Sequence, residues 1–352
     1  MAYTTINKST DYFTPHIWSG TNSNHTESIG MQPDLVWVKG RNNSTDHTLF
    51  DAVRGPFGNG NSLSSNTTAA EGGSNTTAYG GISGVTSDGF TVTAGSSNAD
   101  YVNTSGRTYA SWNWKANGAG SANTDGSISS TVSVNTTSGF SIVKYTGTGS
   151  TATVGHGLSS APSMMIVKGI SFVDNWCVFH SSLGGGKKVR LNTTGAEIST
   201  TESWNSTSPT SSVFSVGADG ETNNNGSTMI AYCFAEKQGY SKFGSYKGNG
   251  STDGTFVYTG FKPAFVMVKR SDTTKNWYLQ DNSRNGYNAS NPYLSPNINV
   301  AETGGTEVDI LSNGFKLRAG GTGHNESGGT YIYMAFAEAP LVGSNNVPCT
   351  AR

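Results

Sequence analysis

The chain has 352 residues, with 22 lysines and arginines against 23 aspartates and glutamates, and only 13% of its residues are charged. That balance excludes a nucleic-acid or membrane-surface partner selected by bulk charge. The 46 glycines and the abundant Ser, Thr and Asn suit disorder, but 11% aromatic residues and recurrent short apolar runs supply a core.

In chain order, the N-terminal MAYTTINKSTDYF lacks a basic-then-apolar pattern, so no signal peptide is expected. The first strong strand is PDLVWVK (Pro33 to Lys39), followed by SDGFTV (Ser87 to Val92) and the aromatic TYASWNWKA (Thr108 to Ala116). Gly120 to Ser127 (GSANTDGS) and Gly139-Phe140 mark the first linker. Next come PSMMIVK (Pro162 to Lys168), NWCVF, SSVFSV (Ser211 to Val216) and TMIAYCFAE (Thr228 to Glu236). After the short junction AEKQGYSKFGSYKGNG come PAFVMVK (Pro263 to Lys269), NWYLQD, SNGFKL (Ser312 to Leu317) and TYIYMAFAE (Thr330 to Glu338). No helical period of useful length appears, and no run approaches the ~20 apolar residues of a membrane span.

These elements form three copies of one unit. Lys39, Lys168 and Lys269 each follow a proline by six residues. Eight residues after each lysine stand His47, Trp176 and Trp277, and twelve after stand Asp51, His180 and Asp281. An Asn-x-x-x-Ala-Glu pattern then ends in Glu71, Glu197 and Glu302. Upstream, WSGTN at Trp18, YTGTG at Tyr145 and YKGNG at Tyr246 correspond. The predicted architecture is all-β, with three tandem related β-sandwich (jelly-roll-like) modules over residues 1–120, 121–238 and 239–352. Lysine-to-lysine spacings of 129 and 101 residues are too long for a solenoid and suit independently folding sandwiches. The lysine strand is apolar at successive positions, so both faces should be covered. The closing strand should alternate, with Tyr331, Tyr333 and Ala335 on one face and Ile332, Met334 and Phe336 on the other.

A catalytic lysine needs burial or cationic neighbours to lower its pKa, and three equivalent active sites in one chain would be unusual. The signature lysines are therefore expected to be structural, reaching solvent or pairing with Glu71, Glu197 and Glu302. Trp176 and Trp277 belong to the same structural signature. The run HSSLGGGKK (His180 to Lys188) fails as a phosphate loop, because Lys187 is followed by Lys and not by Ser or Thr. Cys177, Cys233 and Cys349 are too few for a disulfide framework, and the six histidines lack metal spacing. No catalytic residue, metal or cofactor is expected. Aromatics in polar loops are the ligand candidates, because rings stack on sugars while Asn, Ser and Asp hydrogen-bond them. Trp204, Tyr287 and Tyr293 fill that description.

Together, PDLVWVKGR with LFDAVRG, TVGHGLSSAP with NWCVFH, and GFKPAFVMVKR with SNGFKLR and YIYMAFAE resemble a repeat family of tailed phages. Its members, found in phages of marine bacteria and cyanobacteria, are virion structural or tail-fibre-like proteins. The resemblance covers nearly the whole chain, although the first copy closes in SWNWKA where the others close in FAE. It implies a non-enzymatic virion protein assembled in the host cytoplasm: an external tail fibre or receptor-binding adhesin recognising the host surface. It also implies other virion proteins as partners, a host glycan or receptor as ligand, and a homo-oligomer. The alternative is a capsid decoration (cement) protein or tail connector with a purely structural role.

Overall fold

Each lysine strand lies in one common register against its closing strand: Leu35, Trp37 and Lys39 face Trp114, Trp112 and Ala110. Met164, Ile166 and Lys168 face Phe234, Tyr232 and Ile230, and Phe265, Met267 and Lys269 face Phe336, Met334 and Ile332. The coordinates are a computed structural model that describes residues 3–343, except 59, 74, 286, 287, 289–291, 306 and 322.

The first repeat contains β1 (Phe13–Ser19), β2 (His25–Ser28), β3 (Leu35–Gly40), β4 (Thr48–Asp51), β5 (Gly81–Thr86), β6 (Gly89–Thr93) and β7 (Thr108–Trp114). The second contains β8 (Ser121–Asn123), β9 (Ser130–Asn135), β10 (Phe140–Thr146), β11 (Ala152–Gly155), β12 (Met164–Gly169) and β13 (Trp176–His180). It continues with β14 (Lys187–Arg190), β15 (Ile198–Ser199), β16 (Val213–Val216) and β17 (Thr228–Phe234). The third contains β18 (Ser241–Lys247), β19 (Phe256–Tyr258), β20 (Phe261–Arg270), β21 (Trp277–Asp281), β22 (Val308–Leu311), β23 (Gly314–Leu317) and β24 (Thr330–Pro340).

The fold is all-β, built from antiparallel sheets. Inner sheets run β1-β7-β3-β4, β10-β17-β12-β13 and β18-β24-β20-β21, so the strand order is the same three times. The second is extended by β14-β15 at one edge and β9-β8 at the other. Parts of the expected linker are therefore strand: Ser121 to Asn123 is β8, paired with Ser130 to Val132, and Phe140 opens β10, paired with Phe234. A smaller outer sheet accompanies each inner one: β2-β6-β5, β11-β16 and β19-β23-β22. Among the described residues, no helix is long and apolar enough to cross a membrane.

The closing strand β24 alternates as its pattern predicts. Tyr331, Tyr333 and Ala335 enter a local core with Phe315 and Leu317 of the outer sheet, and Ile332, Met334 and Phe336 point the other way. The lysine strands are covered on both faces, Val36 and Val38 by the outer sheet and Leu35 and Trp37 by the inner core.

The inner faces depart from the expectation of independent sandwiches, because all three contribute to one shared core. At its centre Trp114, Phe234 and Phe336 form a triangle with ring centroids 6.0, 5.9 and 5.7 Å apart. One residue comes from the same register position of each closing strand, so Trp114 of SWNWKA fills the place that phenylalanine fills in the other copies. Phe13, Phe140 and Phe265 pack around the triangle. An inner sheet alone would expose this face, and burying one such ring contributes roughly 2–3 kcal/mol. The three sheets thus close into a ring of approximate threefold symmetry within one chain.

Candidate functional site

Lys39, Lys168 and Lys269 are fully buried on the inner faces, at strand ends where two repeats meet. They neither reach solvent nor meet the repeated glutamates, which corrects both parts of the sequence expectation. Each ammonium donates to backbone carbonyls: Lys39 to Gly40 (2.6 Å) and Asn43 (3.0 Å), Lys168 to Gly169 (2.8 Å), and Lys269 to Arg270 (2.7 Å). Lys168 and Lys269 also reach Thr68 and Thr194 of the preceding repeat, both at 3.2 Å. Burial lowers the Lys39 pKa to about 7, partly offset by Asp46 and Glu302, and lowers those of Lys168 and Lys269 to about 8.

The glutamates have other partners. Glu71 binds Arg54, Glu197 binds Lys187, and Glu302 binds Arg41 and Arg284. Their backbone amides carry the symmetric contact. Glu71 N–H donates to Ile170 O (2.9 Å), Glu197 to Ser271 O (2.7 Å) and Glu302 to Arg41 O (2.6 Å), so every repeat grips the next and the third grips the first. Trp176 and Trp277 send their indole N–H groups to Ser64 O (3.0 Å) and Arg190 O (2.9 Å) of the neighbouring repeat. His47 reaches Ser295 O (3.1 Å) in the same way. His47 Nδ1 accepts from the Trp37 indole, so Nε2 carries the donated proton. The signature residues therefore form three equivalent joints.

The position twelve after the lysine explains why histidine replaces aspartate once. Asp51 accepts from Tyr232 Oη (2.7 Å) of the next repeat, and Asp281 accepts from Trp112 Nε1 (2.9 Å). The residue matching Tyr232 and Trp112 in the third repeat is Met334, which cannot donate. Its partner position holds His180, whose Nε2 instead donates to Tyr333 O (3.0 Å). Arg54 and Arg284 neutralise the two buried aspartates, and Leu183 stands where no acid requires one.

One joint differs. In two joints Asp174 N–H donates to Thr68 O (3.0 Å) and Lys275 N–H to Thr194 O (2.9 Å). Between the first and third repeats the corresponding residues are Thr45 and Asn299, and no such bond joins them. Lys39 bonds Asn43 O, as Lys168 bonds Phe172 O (3.5 Å), but it makes no bond to Asn299 O. The seam opens there into a cavity of about 300 Å³ lined by Ser44, Thr45, Asp46, Tyr79, Asp100, Tyr101 and Asn299. Tyr79 and Tyr101 meet edge to face at 5.5 Å. Asp46 accepts from Asn66 Nδ2 (2.6 Å), and Asp100 holds Arg107 (2.6 Å) and Thr104 Oγ1 (3.2 Å). Burial, then Asp46, Tyr79 and Asp100, raise the Tyr101 pKa, which keeps its phenol protonated.

The aromatics chosen from sequence lie elsewhere. Trp204 is fully buried against Phe179 in the second repeat's local core, so it is not a surface ligand group. Its apolar contacts come from β13, far in sequence from its polar loop. Tyr293 is partly exposed, with its ring against Tyr278 and His324. Tyr287 and Cys349 lie outside the described residues, and Cys177 and Cys233 are buried free thiols.

A family model described as a domain of unknown function, DUF7483, matches residues 8–340. The chain belongs to this family. No curated protein and no solved structure matches the chain.

In this DUF7483 chain the sequence reading missed a second repeated constellation. Asn103, Asn223 and Asn325 are fully buried, and each accepts from a backbone N–H of the loop after the repeat's first inner strand: Thr21, Thr148 and Asn249. Their amide groups return a bond to Ser23 O, Ser150 O and Ser251 O. Trp18, Tyr145 and Tyr246 donate to the carbonyl just before each asparagine. The signal was available as Asn-x-x-Gly-x-Thr before each closing strand. Gly106, Gly226 and Gly328 adopt φ of 79°, 69° and 76°, a region that glycine enters without a Cβ penalty.

Among the described residues of the DUF7483 fold, Cys177, Asp219 and Glu221 place ligand atoms within 4.8 Å of one another. Lys188 already binds both acids, Arg190 binds Glu221, and burial raises the thiol pKa, so the cluster is a closed ion-pair network.

Proposed function

We propose that the chain is a non-enzymatic component of a virion exterior, acting as a tail-fibre-like adhesin that recognises the host cell surface. The motif resemblance supplies the virion context. The observation that carries the adhesive reading is the seam cavity, where one backbone bond of the shared joint is omitted and two tyrosines, two aspartates and an asparagine face open space. The signature residues hold the repeats together, which leaves recognition to the parts that differ between copies. A rigid ring suits this role, because a preorganised site loses little entropy on binding, and several copies per particle multiply a modest affinity. Other virion proteins are the assembly partners, and a surface glycan is the ligand class.

A capsid-decoration or tail-connector role is the second reading. It is favoured by Phe256 and Tyr258, which stand 43% and 53% exposed on β19 at the free edge of an outer sheet. Such an edge suits attachment to another protein. Quantitative mass spectrometry of purified particles separates the readings, together with labelled-protein binding to host cells. Low copy number with saturable cell binding supports the adhesin. Capsid-like abundance without cell binding overturns it in favour of decoration.

A further inference from the structure

We infer that the seam cavity between the first and third repeats is a saccharide site that takes a neutral hexopyranose and discriminates against acidic sugars. The inference rests on the adhesin reading for its biological setting, while its chemistry comes from the cavity alone.

The size fits, since about 300 Å³ lies at the lower end of small-ligand sites. Tyr79 and Tyr101 are partly exposed and perpendicular, which offers one ring face for the C–H side of a pyranose. Neither phenol hydroxyl has a hydrogen-bond partner among the described residues, so both can meet a sugar hydroxyl. Asp46 uses Oδ1 for Asn66, and Asp100 uses Oδ1 for Arg107 and Thr104, which leaves Oδ2 of each as an acceptor. Asn299, exposed at the rim, adds an amide donor and acceptor. Among the described residues, Thr45 Oγ1 and both polar atoms of the Asn43 amide are buried without a partner. Unmade bonds of that kind are costly in a finished interface.

Charge sets the selectivity. A neutral polyol donates hydroxyl hydrogens to two carboxylates, whereas a uronate or sialate brings a third negative charge beside them. Arg107 is already held by Asp100, so it offers little compensation. In the two closed joints the corresponding backbone groups are bonded to each other.

The test uses the full chain and a panel of methyl glycosides (glucoside, galactoside, mannoside) with methyl glucuronide as the acidic arm, read by saturation-transfer NMR and calorimetry. The expected result is weak binding of at least one neutral glycoside, and binding of the glucuronide weaker by about tenfold or more. Tyr79→Ala and Tyr101→Ala should each weaken binding by about tenfold at unchanged melting temperature, the loss of one stacking contact. No binding of any neutral glycoside, preference for the glucuronide, or indifference to both tyrosine changes overturns the inference. Host-cell attachment that survives the double tyrosine variant overturns this site and spares the adhesin reading. Glycoside binding without any cell attachment does the reverse.

Discussion

Glu302 and Arg41, 261 residues apart, are joined by a backbone bond of 2.6 Å and two side-chain bonds of 3.0 and 3.1 Å. They close the ring without a covalent link, and the shared core depends on that closure. The chain should therefore melt in one cooperative transition, with calorimetric and van't Hoff enthalpies equal. The fragment 121–238 alone should lack native near-ultraviolet dichroism, because Phe140 and Phe234 lose their partners. Three separable transitions, or a natively packed fragment, would contradict the shared core. Glu302→Ala should lower stability by about 2–3 kcal/mol while leaving Arg41 and Arg284 under-paired.

Arg284 bonds Asp281, Glu302 and Leu279 O with no side-chain exposure. Arg284→Met should cost about 3–5 kcal/mol in denaturant unfolding, because Asp281 remains buried and charged. Trp112→Phe removes one donor from the same carboxylate and should cost less, about 1–2 kcal/mol. Equal costs would mean that charge neutralisation is not what Arg284 supplies.

Stability should rise between pH 7 and 8.5. In that window the buried lysines, at about 7 to 8, release their protons in the folded state while unfolded lysine, at 10.5, keeps them. The unfolded state then binds more protons, so unfolding free energy increases with pH. Unfolded cysteine and tyrosine, at 9.0 and 10.0, act in the opposite sense at higher pH. Melting temperatures across the window should climb for the parent and climb less for Lys39→Met. A parent slope of zero would show the lysines to be ordinary.

Asn223 ties three loop groups, Thr148 N, Ser150 O and Gly217 O. Asn223→Ala should lose about 2–3 kcal/mol, and hydrogen exchange should quicken first at residues 147–150. Uniform acceleration across the shared core, with the loop no faster than the rest, would contradict a local role for this asparagine.

The strand content and the threefold repeat were legible in the sequence, because side-chain alternation and the spacing after each lysine are local properties of the chain. The Asn-x-x-Gly-x-Thr constellation was equally present there, although only the bonds of Asn103, Asn223 and Asn325 give it meaning. The partners of the lysines were not legible. Lys269 could meet Glu302 on spacing alone, yet it meets Thr194 O, and Glu302 meets Arg41. Trp204 illustrates the same limit, since a polar loop in sequence can fold its one aromatic inward over a distant strand. What an individual repeat contains was set by its own residues, through apolar period and turn chemistry. Which faces those repeats bury, and where the ring leaves a gap, was decided only when three sheets met around Trp114, Phe234 and Phe336. Contacts across 100 to 260 residues carry no local signature, and the missing bond between Thr45 and Asn299 leaves none at all.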